Sequence, residues 1–103
     1  MKIAVSSKGA GLGAWMEPNL AKCGFLMIVD KGRDFKAIEN KLDEITLAKT
    51  AIAEGVDALI AGKIDEPARN LLRQNGIQIY KAQNGSVWEL IDQLSEGKLS
   101  IMD

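Results

Sequence analysis

The segment Gly55–Pro67, with the sequence GVDALIAGKIDEP, constrains the fold of this chain more than any other. It starts with a glycine suited to ending a helix, because a residue without Cβ adopts the left-handed cap conformation cheaply. Ala58–Ala61 is short and wholly apolar, which is typical of a strand covered on both faces in a parallel sheet. Asp65 can cap a following helix, and Pro67 is tolerated only in the first turn of one. The segment therefore predicts a helix–strand–helix unit, and α/β proteins commonly bind ligands where such a strand meets its helix.

The remaining patterns predict further strands and helices on both sides of this unit. Period-two or continuous apolar runs predict strands, and helical spacing of apolar residues predicts helices. The predicted strands are Lys2–Ser6, Gly24–Asp30, Phe35–Asn40 and Ile77–Tyr80, with a turn at Lys31–Asp34. The predicted helices are Asp43–Glu54, Glu66–Gln74 and a segment that begins with the capping box Ser86–Glu89 and ends at Gly97. Residues 100–103 are expected to be frayed.

The order of these elements predicts a single domain over residues 1–103, with an α/β fold. Strands that alternate with helices are parallel and joined by right-handed crossovers, whereas the first three strands form an antiparallel meander. Both conditions are met by a mixed five-stranded sheet of order 3-2-1-4-5. In it, strands 1, 4 and 5 are parallel and the three helices cover the faces.

Composition excludes several classes of function. The net charge is -1, so no overall attraction to nucleic acid or to an anionic membrane is expected. No apolar run has the length of a membrane span, the start does not read as a signal peptide, and the single cysteine fits a reducing cytoplasm. The absence of histidine excludes Ser-His-Asp triads and every metal site that contains histidine.

One edge of the predicted sheet gathers positively charged loops. Four segments meet there, and each carries one lysine: Lys8, Lys22, Lys63 and Lys81. The segment with Lys22 also carries Cys23, the only thiol, and the free N–H groups of the helix that begins near Asp65 add partial positive charge. The edge would favour an anionic ligand. The alternative is that the lysines are simply solvated and that Cys23 is a small buried hydrophobic residue.

The whole chain resembles the dinitrogenase iron–molybdenum cofactor biosynthesis family. The resemblance is carried by MKIAVSS at the start, FLMIVD at 25–30, GVDALIAG at 55–62, GIQIY at 76–80 and GKL at 97–99. It implies a ribonuclease H-like fold. It also implies a small carrier or chaperone of metal–sulfur clusters, either iron–molybdenum cofactor precursors or a related molybdenum cluster.

The resemblance extends to the fold more fully than to the ligand site, so the site is predicted from the sheet edge. The cluster-binding residues expected at the edge described above are Lys8, Gly9, Gly11, Lys22, Cys23, Gly62 and Lys63. Cys23 stands where the family usually has a small residue, and it is the expected metal ligand as a substitute soft donor. The family's usual Asp-Pro-Arg-Phe-Gly-Arg segment reads Glu17–Lys22 here (EPNLAK), without the aromatic residue or the glycine. One thiol cannot hold a cluster, so lysines and backbone amides would contact its sulfides, or a homodimer would supply two thiols.

Three functions follow, in decreasing order of support. The first is a non-enzymatic carrier of an anionic iron–sulfur or molybdenum cluster, whose partner is the cluster or a cluster-assembly protein. The second is a divergent domain that has lost its ligand and serves as a protein-interaction or regulatory module. The third is a ribonuclease H-like hydrolase, which needs convergent carboxylates that the first strand does not offer. No membrane or nucleic acid partner is expected.

Overall fold

The structure is a computed structural model that describes residues 1–30, 34–41 and 43–102. Its strands are β1 (Ile3–Ser7), β2 (Phe25–Val29), β3 (Phe35–Glu39), β4 (Ala58–Ala61), β5 (Gln78–Lys81) and β6 (Ser100–Ile101). Its helices are α1 (Glu44–Ala53), α2 (Glu66–Gln74) and α3 (Val87–Ser95), with a 3₁₀ turn at Leu20–Lys22. Each predicted helix and strand is therefore present, with small differences at the ends. Residues 31–33 of the predicted Lys31–Asp34 turn lie outside the described residues.

The six strands form one mixed sheet of order β3-β2-β1-β4-β5-β6. β1, β4 and β5 run parallel, while β1–β2, β2–β3 and β5–β6 are antiparallel pairs. The predicted mixed α/β sheet and its order from strand 3 to strand 5 are thus confirmed. The ribonuclease H-like label stays a prediction.

The prediction of five strands and a frayed C-terminal segment was wrong for Ser100–Met102. Ile101 pairs with Tyr80 and Ser100 with Lys81, which adds β6 to the edge of the sheet. The Met102 N–H donates to the Ile79 carbonyl at 2.9 Å. The physical reason is that β5 would otherwise present unpaired backbone groups at the edge, and the segment after α3 satisfies them.

The core lies on both faces of the sheet. Side chains alternate along each strand, so Ala4 and Leu59 face α1 and α2, while Val5 and Ile60 face α3. α1 buries Leu47, Ala48 and Ala51, with its two isoleucines half-buried beside them. In the described part of the chain, no helix combines the length and apolar character that a bilayer crossing requires.

The helix ends follow the predicted signals with one exception. The Ser86–Glu89 capping box starts α3, and Gly97 adopts a positive φ of 73° after its end. Asp43 starts α1 by accepting a hydrogen bond from the Thr46 N–H at 2.7 Å. Asp65 occupies the N-cap position of α2, but its side chain makes no capping hydrogen bond.

Candidate functional site

The carboxyl edge of the sheet is the place where β1, β4 and β5 end and β2 begins. The parallel pairing of β1 with β4 and of β4 with β5 brings Ser7, Ala61 and Lys81 to this edge. The antiparallel pairing of Ser7 with Phe25 brings the start of β2 there too. The structure thus brings together the four segments that the predicted topology assigned to one edge.

The glycine-rich loop after β1 is fastened to the start of α3. The carbonyls of Leu12 and Ala14 accept hydrogen bonds from the N–H groups of Trp88 and Val87, at 3.0 and 2.9 Å. The Ser86 side chain accepts from Glu89 N–H. The first N–H groups of α3 are therefore satisfied by the protein itself and do not offer an anion site. In this loop Lys8 and Gly11 are exposed and Gly9 is half-buried.

The segment after Met16 crosses over the ends of β1 and β4. The Pro18 carbonyl accepts hydrogen bonds from the N–H groups of both Gly62 and Lys63, at 2.7 and 2.8 Å. A Cβ on Gly62 would lie 2.6 Å from the Ala82 carbonyl oxygen and 2.9 Å from the Pro18 Cβ. Glycine is thus required at position 62 by the close approach of protein backbone. Contact between Gly62 and a ligand stays a prediction.

Cys23 belongs to the hydrophobic core on the α1 and α2 side. It is 3% exposed, and burial raises the pKa of its thiol to about 11. The thiolate is the form that binds metals, so at neutral pH this thiol is protonated. Direct ligation would require Cys23 to leave the core and lose its proton. A ligand role for Cys23 stays a prediction, and the donor chemistry of this conformation does not favour it.

The described residues contain no cluster of side chains that could coordinate a metal ion directly. No group of three or more cysteine, aspartate or glutamate side chains within residues 1–30, 34–41 and 43–102 is arranged to hold a metal ion. What these residues offer to an anionic cluster is positive charge and hydrogen-bond donors. Non-covalent recognition fits this donor set better than ligation does.

The four lysines of the carboxyl edge are exposed and carry no ion pair within the described residues. Lys8 lies on the glycine-rich loop and Lys22 ends the 3₁₀ turn, while Lys63 and Lys81 follow β4 and end β5. The ion pairs among the described residues lie elsewhere, at Lys36–Glu54, Lys41–Glu39 and Lys98–Glu96. The edge therefore keeps its positive charge uncompensated by direct pairing.

Lys63 and Lys81 line one pocket with Arg69 of α2, and we call it the cationic pocket. Its volume is about 380 Å³, and its other lining residues are Gly62, Ile64, Ile101 and Met102. The Nε atom of Arg69 is buried and has no hydrogen-bond partner. Sequence reasoning missed Arg69. The available signal was its position in the first turns of the helix that follows β4, where side chains can reach the carboxyl edge.

Glu44 is a second residue that sequence reasoning missed. Its carboxylate is buried, and its Oε1 accepts a hydrogen bond of 2.9 Å from the Asp65 N–H at the start of α2. Burial raises the pKa of Glu44 above its ordinary value, helped by the charge of Asp65 and opposed by the Asp65 N–H and by Lys63. A carboxylate of the protein therefore already faces the start of α2. The positive charge predicted for that helix end is partly compensated, which leaves the side-chain cations as the main attraction.

Comparison with known proteins identifies relatives over nearly the full length. A family model described as dinitrogenase iron-molybdenum cofactor matches residues 1–97. No curated protein matches the chain.

Solved structures share the fold. A candidate NifB protein from Thermotoga is 25% identical, with a TM-score of 0.87, covering 97% of this chain and 91% of its own. A candidate dinitrogenase from Methanocaldococcus jannaschii is also 25% identical, with a TM-score of 0.81 and coverage of 100% and 95%. The apo form of the orange protein from Desulfovibrio gigas is 19% identical, with a TM-score of 0.88 and coverage of 98% and 92%. At that identity, the likeness to the orange protein is evidence for the fold of this chain alone.

Proposed function

Since this chain belongs to the dinitrogenase iron-molybdenum cofactor family, we propose that it is a non-enzymatic carrier of an anionic metal–sulfur cluster. The cargo is an iron–molybdenum cofactor precursor or a related iron–sulfur or molybdenum cluster. The observation that carries the proposal is the unpaired positive charge of Lys8, Lys22, Lys63 and Lys81 along the carboxyl edge. Sulfide-rich clusters carry negative charge, and cations that form no ion pair within the described residues can recognise it.

The residues at the carboxyl edge favour reversible binding of the cluster. Lysine ammonium groups bind as mobile point charges, and they hold an anion without forming a covalent bond to it. Because the Cys23 thiol is buried and protonated, the cargo keeps its own sulfides rather than gaining a protein ligand. Transfer to a cluster-assembly protein then requires the exchange of electrostatic contacts only. No residue is assigned a catalytic role in this proposal.

A second candidate is a protein-interaction or regulatory module without a ligand, and the exposure of Trp15 favours it. This side chain is 50% exposed, although tryptophan is a residue that proteins usually cover at least in part. Exposed aromatic residues are enriched where partners dock. An assembly protein or a second copy of the chain could bind at this position, so the two candidates differ in whether any cluster is retained.

The deciding experiment is an anaerobic titration of the purified protein with iron, sulfide and tetrathiomolybdate. Desalting, metal analysis and an absorption spectrum follow. Retained metal in a stoichiometric amount, with a charge-transfer band, is expected for the carrier. Substitution of Lys8 and Lys22 by methionine should then reduce retention, while the matched exposed variant Lys49→Met in α1 should not. A colourless, metal-free protein after desalting would contradict the carrier and favour the interaction module.

The Cys23→Ser variant tests the thiol separately. If Cys23 is a ligand, as the sequence analysis predicts, its replacement should weaken cluster retention. Unchanged retention would leave the cations and backbone donors as the binding groups.

A further inference from the structure

We propose that the cationic pocket between α2 and β6 binds a small tetrahedral dianion of the thiometallate or phosphate type. The binding groups are Lys63, Arg69 and Lys81, which line this pocket from three different elements. The inference rests on the proposed function, because it names the part of the carboxyl edge that recognises the charge of the cargo. It places one binding position of the cargo on the α2 side of the edge, beside the segments that carry Lys8 and Lys22.

Arg69 carries a buried hydrogen-bond donor without an acceptor, which favours an anion in the pocket. Its Nε atom is buried and unpartnered, and no hydrogen bond or ion pair of its side chain exists within the described residues. Leaving a buried donor of a charged group unsatisfied costs free energy that one acceptor would recover. Arginine presents its N–H groups in a planar fork that matches the oxygen or sulfur atoms of a tetrahedral anion.

The charge of the pocket is the second argument. Lys63, Arg69 and Lys81 are its charged residues among those described, and none of its described lining residues is acidic. Asp103 lies outside the described residues. The three like charges in this pocket repel one another. A bound anion attracts each of them and so offsets the repulsion. A dianion offers enough negative charge to engage more than one of the three groups.

The apolar wall of the pocket is the third argument. Ile64, Ile101 and Met102 form this wall, and Ile64 and Met102 are themselves buried. An apolar wall limits the access of water, which strengthens the attraction between an anion and the cations. The thioether of Met102 is soft and polarisable, so it suits the sulfur atoms of a thiometallate better than the oxygen atoms of phosphate.

The test is titration of the purified protein with tetrathiomolybdate alone and, separately, with inorganic phosphate. Affinity is measured by calorimetry, and the position of binding by amide NMR shifts. We expect saturable binding with shifts at residues 62–64, 69, 81 and 101–102, and tighter binding of tetrathiomolybdate than of phosphate. Tighter binding of phosphate would contradict the expectation that the Met102 thioether favours the sulfur atoms of a thiometallate.

Variants separate the pocket from the rest of the edge. Arg69→Met and Lys81→Met should each weaken binding by about tenfold, the effect of losing one charge-assisted hydrogen bond. Arg69→Lys keeps the charge but loses the planar fork of N–H groups, so its affinity for the anion should lie between those of Arg69→Met and the wild type. Lys49→Met removes an exposed cation from α1 and should leave the affinity unchanged. Thermal unfolding of each variant verifies that it is folded.

The outcomes distinguish failure of this inference from failure of the proposed function. Cluster retention that survives Arg69→Met and Lys81→Met, with shifts confined to residues 8–23, would overturn the pocket and leave the carrier standing. Saturable binding of tetrathiomolybdate in the pocket without retention of an assembled cluster would support the pocket and overturn the carrier. The absence of saturable shifts with either anion would overturn the pocket.

Discussion

The Glu44 carboxylate of α1 accepts a hydrogen bond of 2.9 Å from the Asp65 N–H. A side chain of one helix therefore binds the backbone of the residue that precedes the next helix. The second oxygen of this carboxylate is buried without a partner. Asp65, which occupies the N-cap position, makes no side-chain capping bond. The contact gives the N–H of the N-cap residue the acceptor that the third helical residue supplies in a capping box, and it ties the two helices that cover this face of the sheet.

Glu44→Gln should change how stability depends on pH. Burial raises the folded-state pKa of Glu44 above the ordinary value of 4.5, so the folded protein holds this proton more tightly than the unfolded chain does. As pH rises from 4.5 through the raised pKa, the wild type should lose free energy of unfolding relative to the variant, which keeps an acceptor but does not titrate. Urea unfolding of both proteins across this range measures the difference. A difference that is constant with pH would contradict the raised pKa.

The Cys23 thiol should resist modification in the folded protein. With a pKa of about 11, only a very small fraction is thiolate at neutral pH, and the side chain is 3% exposed. A chromogenic disulfide reagent should therefore react slowly with native protein and rapidly in concentrated urea. Stoichiometric reaction of native protein within the time that the unfolded sample needs would show that the thiol is accessible.

Gly62→Ala should destabilise the protein, whereas Gly11→Ala should not. A Cβ at position 62 would lie 2.6 Å from the Ala82 carbonyl oxygen, but at position 11 it meets nothing within 4 Å. Forcing an atom into a filled space costs roughly 1–3 kcal/mol. Chemical denaturation of the two variants gives the comparison. Equal stabilities would mean that the segment carrying Pro18 moves away at little cost.

Arg73→Met should loosen β6 without unfolding the domain. The Arg73 side chain donates a hydrogen bond of 2.6 Å to the Met102 carbonyl, and Met102 in turn donates to Ile79. Loss of this charge-assisted bond should raise the hydrogen-exchange rate of the Met102 amide by about tenfold, which corresponds to about 1.4 kcal/mol. Lys98→Met, which removes only an exposed ion pair, serves as the control. Unchanged protection of Met102 in Arg73→Met would show that backbone pairing alone holds the strand.

The sheet was predictable where its signals are local. Ala58–Ala61 and Gly24–Asp30 are apolar runs bounded by glycine or charge, and the alternation of strands with helices determines the order 3-2-1-4-5. β6 has only two residues, which is too short for any periodicity. Its position follows from the free edge of β5, a tertiary relationship that no local pattern records.

The candidate site was predictable only in its outline. The meeting of Lys63 and Lys81 at one edge follows from strand direction, which the pattern supplies. The inclusion of Arg69 depends on which side of α2 faces β6, so it could not be predicted while β6 was missing. The burial of Cys23 was one of two open alternatives, because a lone cysteine at the start of a strand has the same sequence signature in a core and in a site.

The bonds between the glycine-rich loop and α3 also bear on how the chain folds. Leu12 and Ala14 lie near the start of the sequence, whereas Trp88 and Val87 lie near its end, so these contacts close most of the chain. Contacts of such long sequence separation form slowly, since the entropy of a large loop must be lost first. The ordered conformation of the loop should therefore appear late in folding, and a fragment without α3 should leave the loop without its fastening.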